Sequence, residues 1–173
     1  MVKKFFGIFL LGFLLSSVYA QQVSIAEIVE NFDEYNGRQV TIQGIVVMGA
    51  GVLHNNILRA YVQDSSGKGI QVHNSSLNAN INNAFIRGNW LQITGTVGTF
   101  DGMRQITSLT SYQILDTGYL PPYVELPISE ALLHRVWEGT YVKISGIVTQ
   151  ISNPVGGGRD VILRDNEGNR III

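Results

Sequence analysis

Two stretches decide how this chain is read. One is Gly37-Arg38-Gln39-Val40-Thr41-Ile42-Gln43-Gly44-Ile45-Val46-Val47. The other, 102 positions on, is Gly139-Thr140-Tyr141-Val142-Lys143-Ile144-Ser145-Gly146-Ile147-Val148-Thr149. Each alternates apolar and polar residues, the period of a half-buried strand. Each carries a glycine at the same interior place, Gly44 and Gly146, where a glycine within a strand predicts a bulge or sharp bend. The echo extends outward. Asp64 to Gly67 matches Asp165 to Gly168 at an offset of 101, and Ile25-Ala26-Glu27-Ile28 matches Ile128-Ser129-Glu130-Ala131 at 103. Self-similarity near one hundred residues predicts a duplicated domain rather than a solenoid.

Working outward from the first copy, Ile25, Ile28, Val29 and Phe32 recur at helical spacing. Ser24 and Glu27 form a capping-box pair in front of them. Tyr35, at the place of Trp137 in the second copy, is expected to pack this helix onto the sheet. Strands are expected over Gln39–Met48, Ile57–Gln63, Ile70–His73, Trp90–Val97 and Met103–Leu115, with a short helix inside Asn74–Ile86. Asp64 and Asp165 open turns, where an aspartate side chain accepts from the backbone two residues on. Three strands, a helix and two more strands, with a bend in the first, form the pattern of an all-β, five-stranded OB-fold Greek-key barrel with short helices. The second copy supplies a helix, a long strand, the Gly156-Gly157-Gly158 loop and a hairpin, a partial second OB-fold. The boundaries expected are residues 1–20, a signal peptide; 21–118, the first barrel; 119–127, a linker; and 128–173, the partial copy. Ile171-Ile172-Ile173 would be an unpaired apolar edge, so the chain is expected to be a piece of a longer polypeptide.

Composition narrows the function. The chain has 173 residues, no cysteine, and 12 basic against 13 acidic residues. The absence of cysteine excludes disulfides, cysteine-based zinc sites, iron–sulfur clusters and a thiol nucleophile. Lys3 and Lys4, the apolar run from Phe5 to Val18, and small residues at Val18 and Ala20 read as a cleaved secretory leader. A secreted or periplasmic location is therefore expected. Without the leader lysines ten basic residues face 13 acidic ones, which excludes strong nonspecific binding of polyanions by the whole chain. The stretch 37–115 is different: Arg38, Arg59, Lys68, Arg87 and Arg104 outnumber Asp64 and Asp101, a local charge of +3.

The run from Tyr35 to Val46 resembles the opening of small exported bacterial OB-fold domains often described as nucleic-acid-binding. Arg59-Ala60-Tyr61-Val62-Gln63-Asp64 with Gly67 and Ile70 resembles their second hairpin, and Gly88 to Val97 resembles their fourth strand. Such modules occur in tandem and beside extracellular nucleases. A second resemblance, to the periplasmic bacterial OB-fold family, implies no nucleic acid. Its members usually stand as one domain, so the duplication favours the first.

No catalytic set is visible. His54, His73 and His134 are scattered, no serine elbow or phosphate loop exists, and no cofactor or metal is implied. The expectation is a chain with no enzymatic activity of its own. A binding face is better supported. OB barrels use the outer side of strands two and three with the flanking loops. With Val40, Ile42, Val62, Ile70, Val72, Leu91, Ile93 and Val97 turned inward, alternation places Arg59, Tyr61 and Gln63 outward on the second strand and Gln71 and His73 outward on the third. Phe100 and Arg104 lie in and after the last loop. Tyr61, His73 and Phe100 are the candidate stacking groups for bases; Arg59, Lys68 and Arg104 are the candidate phosphate partners. Single-stranded nucleic acid is the expected ligand. The alternatives are a protein- or carbohydrate-binding module within a larger secreted protein and an appendage of a nuclease whose catalytic part lies beyond Ile173.

Overall fold

The computed structural model describes residues 20–154 and 156–173. The expected leader falls outside them, apart from Ala20. A two-residue strand β1 (Gln21–Gln22) leads into α1 (Ile25–Glu30) and α2 (Phe32–Tyr35). The barrel strands follow: β2 (Gln39–Met48), β3 (Leu58–Gln63), β4 (Gly69–Asn74), then α3 (Ala79–Ala84), β5 (Trp90–Phe100) and β6 (Met103–Asp116). The strand order is β1-β2-β3-β4-β6-β5, and β2 also pairs with β5. The β4–β6 pair is parallel and all the other pairs among β2 to β6 are antiparallel. This is the five-stranded OB-fold Greek-key barrel, with α3 between its third and fourth strands.

The opening strand serves both sides because its two halves pair differently. Gln39–Ile45 pairs with β5, and Ile45–Met48 pairs with β3. The bulge expected at Gly44 falls three residues later, between Val46 and Met48, so that Val46 and Val47 are both buried. Gly44 answers a different need. A Cβ there would stand 2.6 Å from Val62 Cγ1 and 2.9 Å from the Gln63 carbonyl oxygen. The glycine lets β2 press against β3 where the partner changes.

All eight residues expected to face inward are in the core, where Ile42 and Val62 are completely buried. One end of the barrel is filled by Ile25, Ile28 and Val29 from α1, and Ile81, Ala84 and Phe85 come from α3. Ser24 caps α1 through its Oγ, which accepts from Glu27 N at 3.1 Å. Glu27 does not close the expected box; its carboxylate accepts from the Tyr35 hydroxyl instead. Asn31 interrupts the helix, and the break turns Tyr35 into the core cluster. Asp64 joins two elements: Oδ2 accepts from Ile25 N at 2.7 Å and Oδ1 from Ser66 N at 3.0 Å.

The stretch expected as a linker contains β7 (Val124–Glu125) and the buried Leu126. Beyond it lie α4 (Ile128–Ala131), α5 (His134–Trp137), β8 (Val142–Lys143), β9 (Ile147–Ile151), β10 (Val161–Arg164) and β11 (Arg170–Ile172). The last three form an antiparallel sheet in the order β11-β10-β9, and β7 pairs with β8 in parallel. The single long strand expected in the second copy is divided into β8 and β9, because residues 144–146 leave strand geometry. No helix among the described residues is long and apolar enough to cross a membrane.

Candidate nucleic-acid interface

The outer side of β3, β4 and β6 carries side chains in cross-strand rows. Because Leu58, Ala60 and Val62 point into the core, Arg59, Tyr61 and Gln63 point away from it. Arg59 pairs with His73, Tyr61 with Gln71, and Gln63 with Gly69; Gln71 continues the middle row to Gln105 on β6.

The end row is open. Arg59 and His73 are half-buried, and His73 Nδ1 donates to the Thr107 carbonyl at 3.3 Å. In the middle row the Tyr61 hydroxyl accepts from Gln71 Nε2 at 2.9 Å and reaches across β4 to Met103 Sδ at 3.4 Å. Phe100 pairs with Met103 across the β5–β6 turn, two residues before Gln105 and so towards the Gly69 end, and is 62% exposed. Gln105 Oε1 is buried without a hydrogen-bond donor. Gln105 alternates with the core residue Ile106 and so belongs to the outer row, where its neighbours bury it.

The third row is covered, and the two remaining cations are engaged there. Gln63 is 1% exposed, and its Oε1 accepts from Tyr141 N at 2.8 Å. Gly69 N donates to Thr140 Oγ1 at 3.1 Å. Lys68 Nζ donates to the Val136 carbonyl at 3.0 Å and lies 3.5 Å from the centre of the Trp137 ring. Burial pushes the Lys68 ammonium below its ordinary pKa; Glu30 opposes this and the Arg104 charge adds to it. Arg104 donates from Nε to Glu138 at 3.0 Å, from Nη1 to the Val29 carbonyl at 2.7 Å, and from Nη2 to the Arg135 carbonyl. Its backbone N–H also reaches Glu138, at 3.0 Å. Of the eight residues expected on the face, Arg59, Tyr61, His73 and Phe100 are accessible. Gln71 is buried at 7% exposure, and Gln63, Lys68 and Arg104 are held by residues 135–141. The cations do not form one cluster. Lys68 and Arg104 converge on the covered end, and Arg59 lies about 13 Å away along β3, four residues at about 3.3 Å each.

Trp137, Glu138, Thr140 and Tyr141 are the contacts that sequence reading missed. Trp137, expected like Tyr35 to seat a helix, lies on Lys68 instead. A separate groove of about 680 Å³ is lined by Glu27, Gln43, Gln63, Asp64, Trp90 and Tyr119, among others, with no Lys or Arg in its wall. Trp90 and Tyr119 meet edge to face there, 6.1 Å between ring centres. Among the described residues no three His, Asp or Glu side chains gather to hold a metal ion.

No protein-family model matches the chain. Among curated proteins, Endonuclease YhcR of Bacillus subtilis (strain 168) is 28% identical over 153 residues, covering 85% of this chain. The chain spans 12% of that protein's length. Solved structures with a similar course include an asparaginyl-tRNA synthetase from Pyrococcus horikoshii complexed with asparaginyl-adenylate. Its TM-score is 0.45 at 16% identity, over 57% of this chain and 23% of that one. Another is the telomere capping protein Ten1 from Saccharomyces pombe, with a TM-score of 0.39 at 19% identity, over 56% of this chain and 81% of that one. The fold assignment rests on the strand order, not on these likenesses. The endonuclease overturns one expectation: a chain without enzymatic activity was inferred from the lack of a visible catalytic set, and the curated relative that covers most of the chain is a nuclease.

Proposed function

We propose that this chain is the nucleic-acid-holding part of an exported nuclease, and that single-stranded nucleic acid lies on the outer face of β3, β4 and β6. The observation that carries the reading is the accessible set Arg59, Tyr61, His73 and Phe100: a cation paired with His73, the Tyr61 ring in the next row, and the Phe100 ring at the far end by the β5–β6 turn. Single strands are held by that combination. The similarity to an endonuclease supports the ligand class. Export is supported by Lys3, Lys4 and the apolar run to Val18. A tandem arrangement is supported by matched details in the two halves. A Cβ at Gly146 would stand 3.0 Å from the Arg164 carbonyl oxygen, as one at Gly44 meets that of Gln63. The parallel pair β7–β8 stands where β1–β2 stands in the first half.

The test is a fluorescence-anisotropy titration of the chain with a labelled 15-nucleotide oligo(dT), repeated over a salt series. Binding in the tens of micromolar at low salt is expected, with log K falling linearly in log salt by roughly 0.7 per phosphate engaged. No binding at about 50 µM protein, half the weak limit for nonspecific contacts, would sink the reading. A second reading attaches to the groove at Trp90 and Tyr119: two carboxylates, three amides, two aromatic rings and no cation suit an uncharged sugar. Calorimetric titration with maltohexaose separates the two: heat of binding is expected if the groove holds a sugar, and its absence removes this second reading.

A further inference from the structure

Residues 135–141 lie across the covered end of the face, and their hold is polar. Val136 and the Arg135 carbonyl take up Lys68 and Arg104, Glu138 takes the guanidinium, and Thr140 and Tyr141 bond to Gly69 and Gln63. No residue of this segment belongs to the hydrophobic core cluster, and α5 has no buried residue. Arg135 adds a bond from Nη1 to the Gly102 carbonyl at 2.8 Å, at the tip of the β5–β6 turn. At Arg104 the exchange for a phosphate costs little, because one charged acceptor replaces another, Glu138; at Lys68 a phosphate replaces a neutral carbonyl and is the stronger acceptor. A hydrophobic interface offers no such exchange.

Gly69 shows how closely the segment is seated. A Cβ there would stand 2.2 Å from the Gly139 carbonyl oxygen and 2.9 Å from Thr140 Cα. The three nearest atoms all belong to the segment, so a side chain at 69 collides first with the docked segment and not with the barrel. Gly69 does not lie at positive φ, so alanine is tolerated by its backbone. Gly139 faces it with φ +74° and the Gly69 carbonyl oxygen 3.0 Å from its own would-be Cβ. Two glycines thus bring backbone onto backbone.

We propose that residues 135–141 are a built-in occupant of the phosphate-binding end of this face. Glu138 holds the guanidinium of Arg104, and Val136 with Trp137 holds the ammonium of Lys68, until nucleic acid displaces them. The proposal rests on the nucleic-acid reading above. It makes the chain an attenuated binder: of the face's own three cations only Arg59 is presented in the docked state, and lifting the segment adds Lys68 and Arg104.

The test compares the chain with its Gly69→Ala and Glu138→Gln variants, using labelled oligo(dT) across 50 to 200 mM salt. Each variant is checked by far-UV circular dichroism. Lifting the segment adds two phosphate contacts, so the salt slope steepens by about 1.4, at about 0.7 per contact. The affinity advantage over the unaltered chain then shrinks about sevenfold across that fourfold range of salt. Lys68→Gln added to Gly69→Ala removes half of the steepening. Hydrogen exchange of residues 135–141 provides the second readout: protection falls in Gly69→Ala and, in the unaltered chain, on saturation with oligo(dT). If Gly69→Ala does not fold, Glu138→Gln carries the same comparison. If the unaltered chain binds, and the folded variants bind with the same affinity and slope, the built-in occupant is refuted while the binding face stands. If neither the chain nor the variants bind, the nucleic-acid reading fails and this proposal fails with it.

Discussion

Replacing Gly44 by alanine asks whether the hand-over in β2 requires a missing side chain. The new Cβ would lie 2.6 Å from Val62 Cγ1 and 2.9 Å from the Gln63 carbonyl oxygen. Ordinary contact begins near 3.4 Å, so one neighbour must give by about 0.8 Å and the other by about 0.5 Å. Neither can move freely. Val62 is fully buried, and Gln63 is paired to Ile45 on one side and to Gly69 on the other. Overpacking of this kind costs about 1–3 kcal/mol. The gain from a stiffer unfolded chain, about 0.4–1 kcal/mol, offsets part of it. A net loss near 1.5 kcal/mol lowers Tm by roughly 3–6 °C in a chain of this size. Thermal and urea unfolding followed by far-UV circular dichroism measure it. Gly44→Ala with an unchanged or higher Tm would mean that β2 and β3 do not approach as closely as described, and the hand-over at Gly44 would be wrong.

Asp64→Ala removes the carboxylate that accepts from both Ile25 N and Ser66 N. A loss of about 2 kcal/mol is expected from charge-assisted bonds of this type, with Asp64→Asn losing less because it keeps one acceptor; equal stabilities by urea unfolding would refute the tie. Tyr61→Ala is expected to weaken oligo(dT) binding by about 1–3 kcal/mol while Tyr61→Phe preserves it, since stacking uses the ring; loss in both would assign the contact to the hydroxyl. The Asn169 side chain, with the backbone N–H groups of residues 167–169, holds the Asp165 carboxyl below its ordinary value of 3.8. Its folded pKa is the lower one, so its stabilisation is complete above the unfolded value and is lost as pH falls through the folded one. A carbon-detected NMR titration should place the Asp165 midpoint below 3.8 and move it upward in Asn169→Ala; an unmoved midpoint contradicts the assigned cause.

The barrel was legible in the sequence because its information is local and periodic. Val40, Ile42, Leu91 and Ile93 alternate with polar residues, and alternation alone assigns their faces. Turn residues such as Asp64 and Gly67 state their role in a few positions. The bulge was displaced because a glycine has two uses in a strand, and sequence does not distinguish bending from close approach; Gly44 serves the second. The candidate face was half legible. Period two located Arg59, Tyr61 and His73, but nothing local marks Glu138 as the partner of Arg104, a pairing across 34 residues. The same holds for Trp137, whose sequence counterpart Tyr35 is buried in the core. The similarity to an endonuclease was illegible for a related reason: the residues that repeat along this chain are those that form a barrel, and they do not state an activity.

The barrel closes unevenly. Most of its antiparallel ladders run for several residues, but β4 and β6 meet only at Gln71 with Gln105 and Val72 with Ile106. That seam is the cylinder's shortest join, and it lies beneath the Tyr61 row. Any molecule that spans β3, β4 and β6 also staples it, so occupancy and closure share one free energy. A ligand present at a hundred times its Kd would add about 2.7 kcal/mol to the folded state. Melting shifts can therefore rank oligonucleotides and sugars without a label on either.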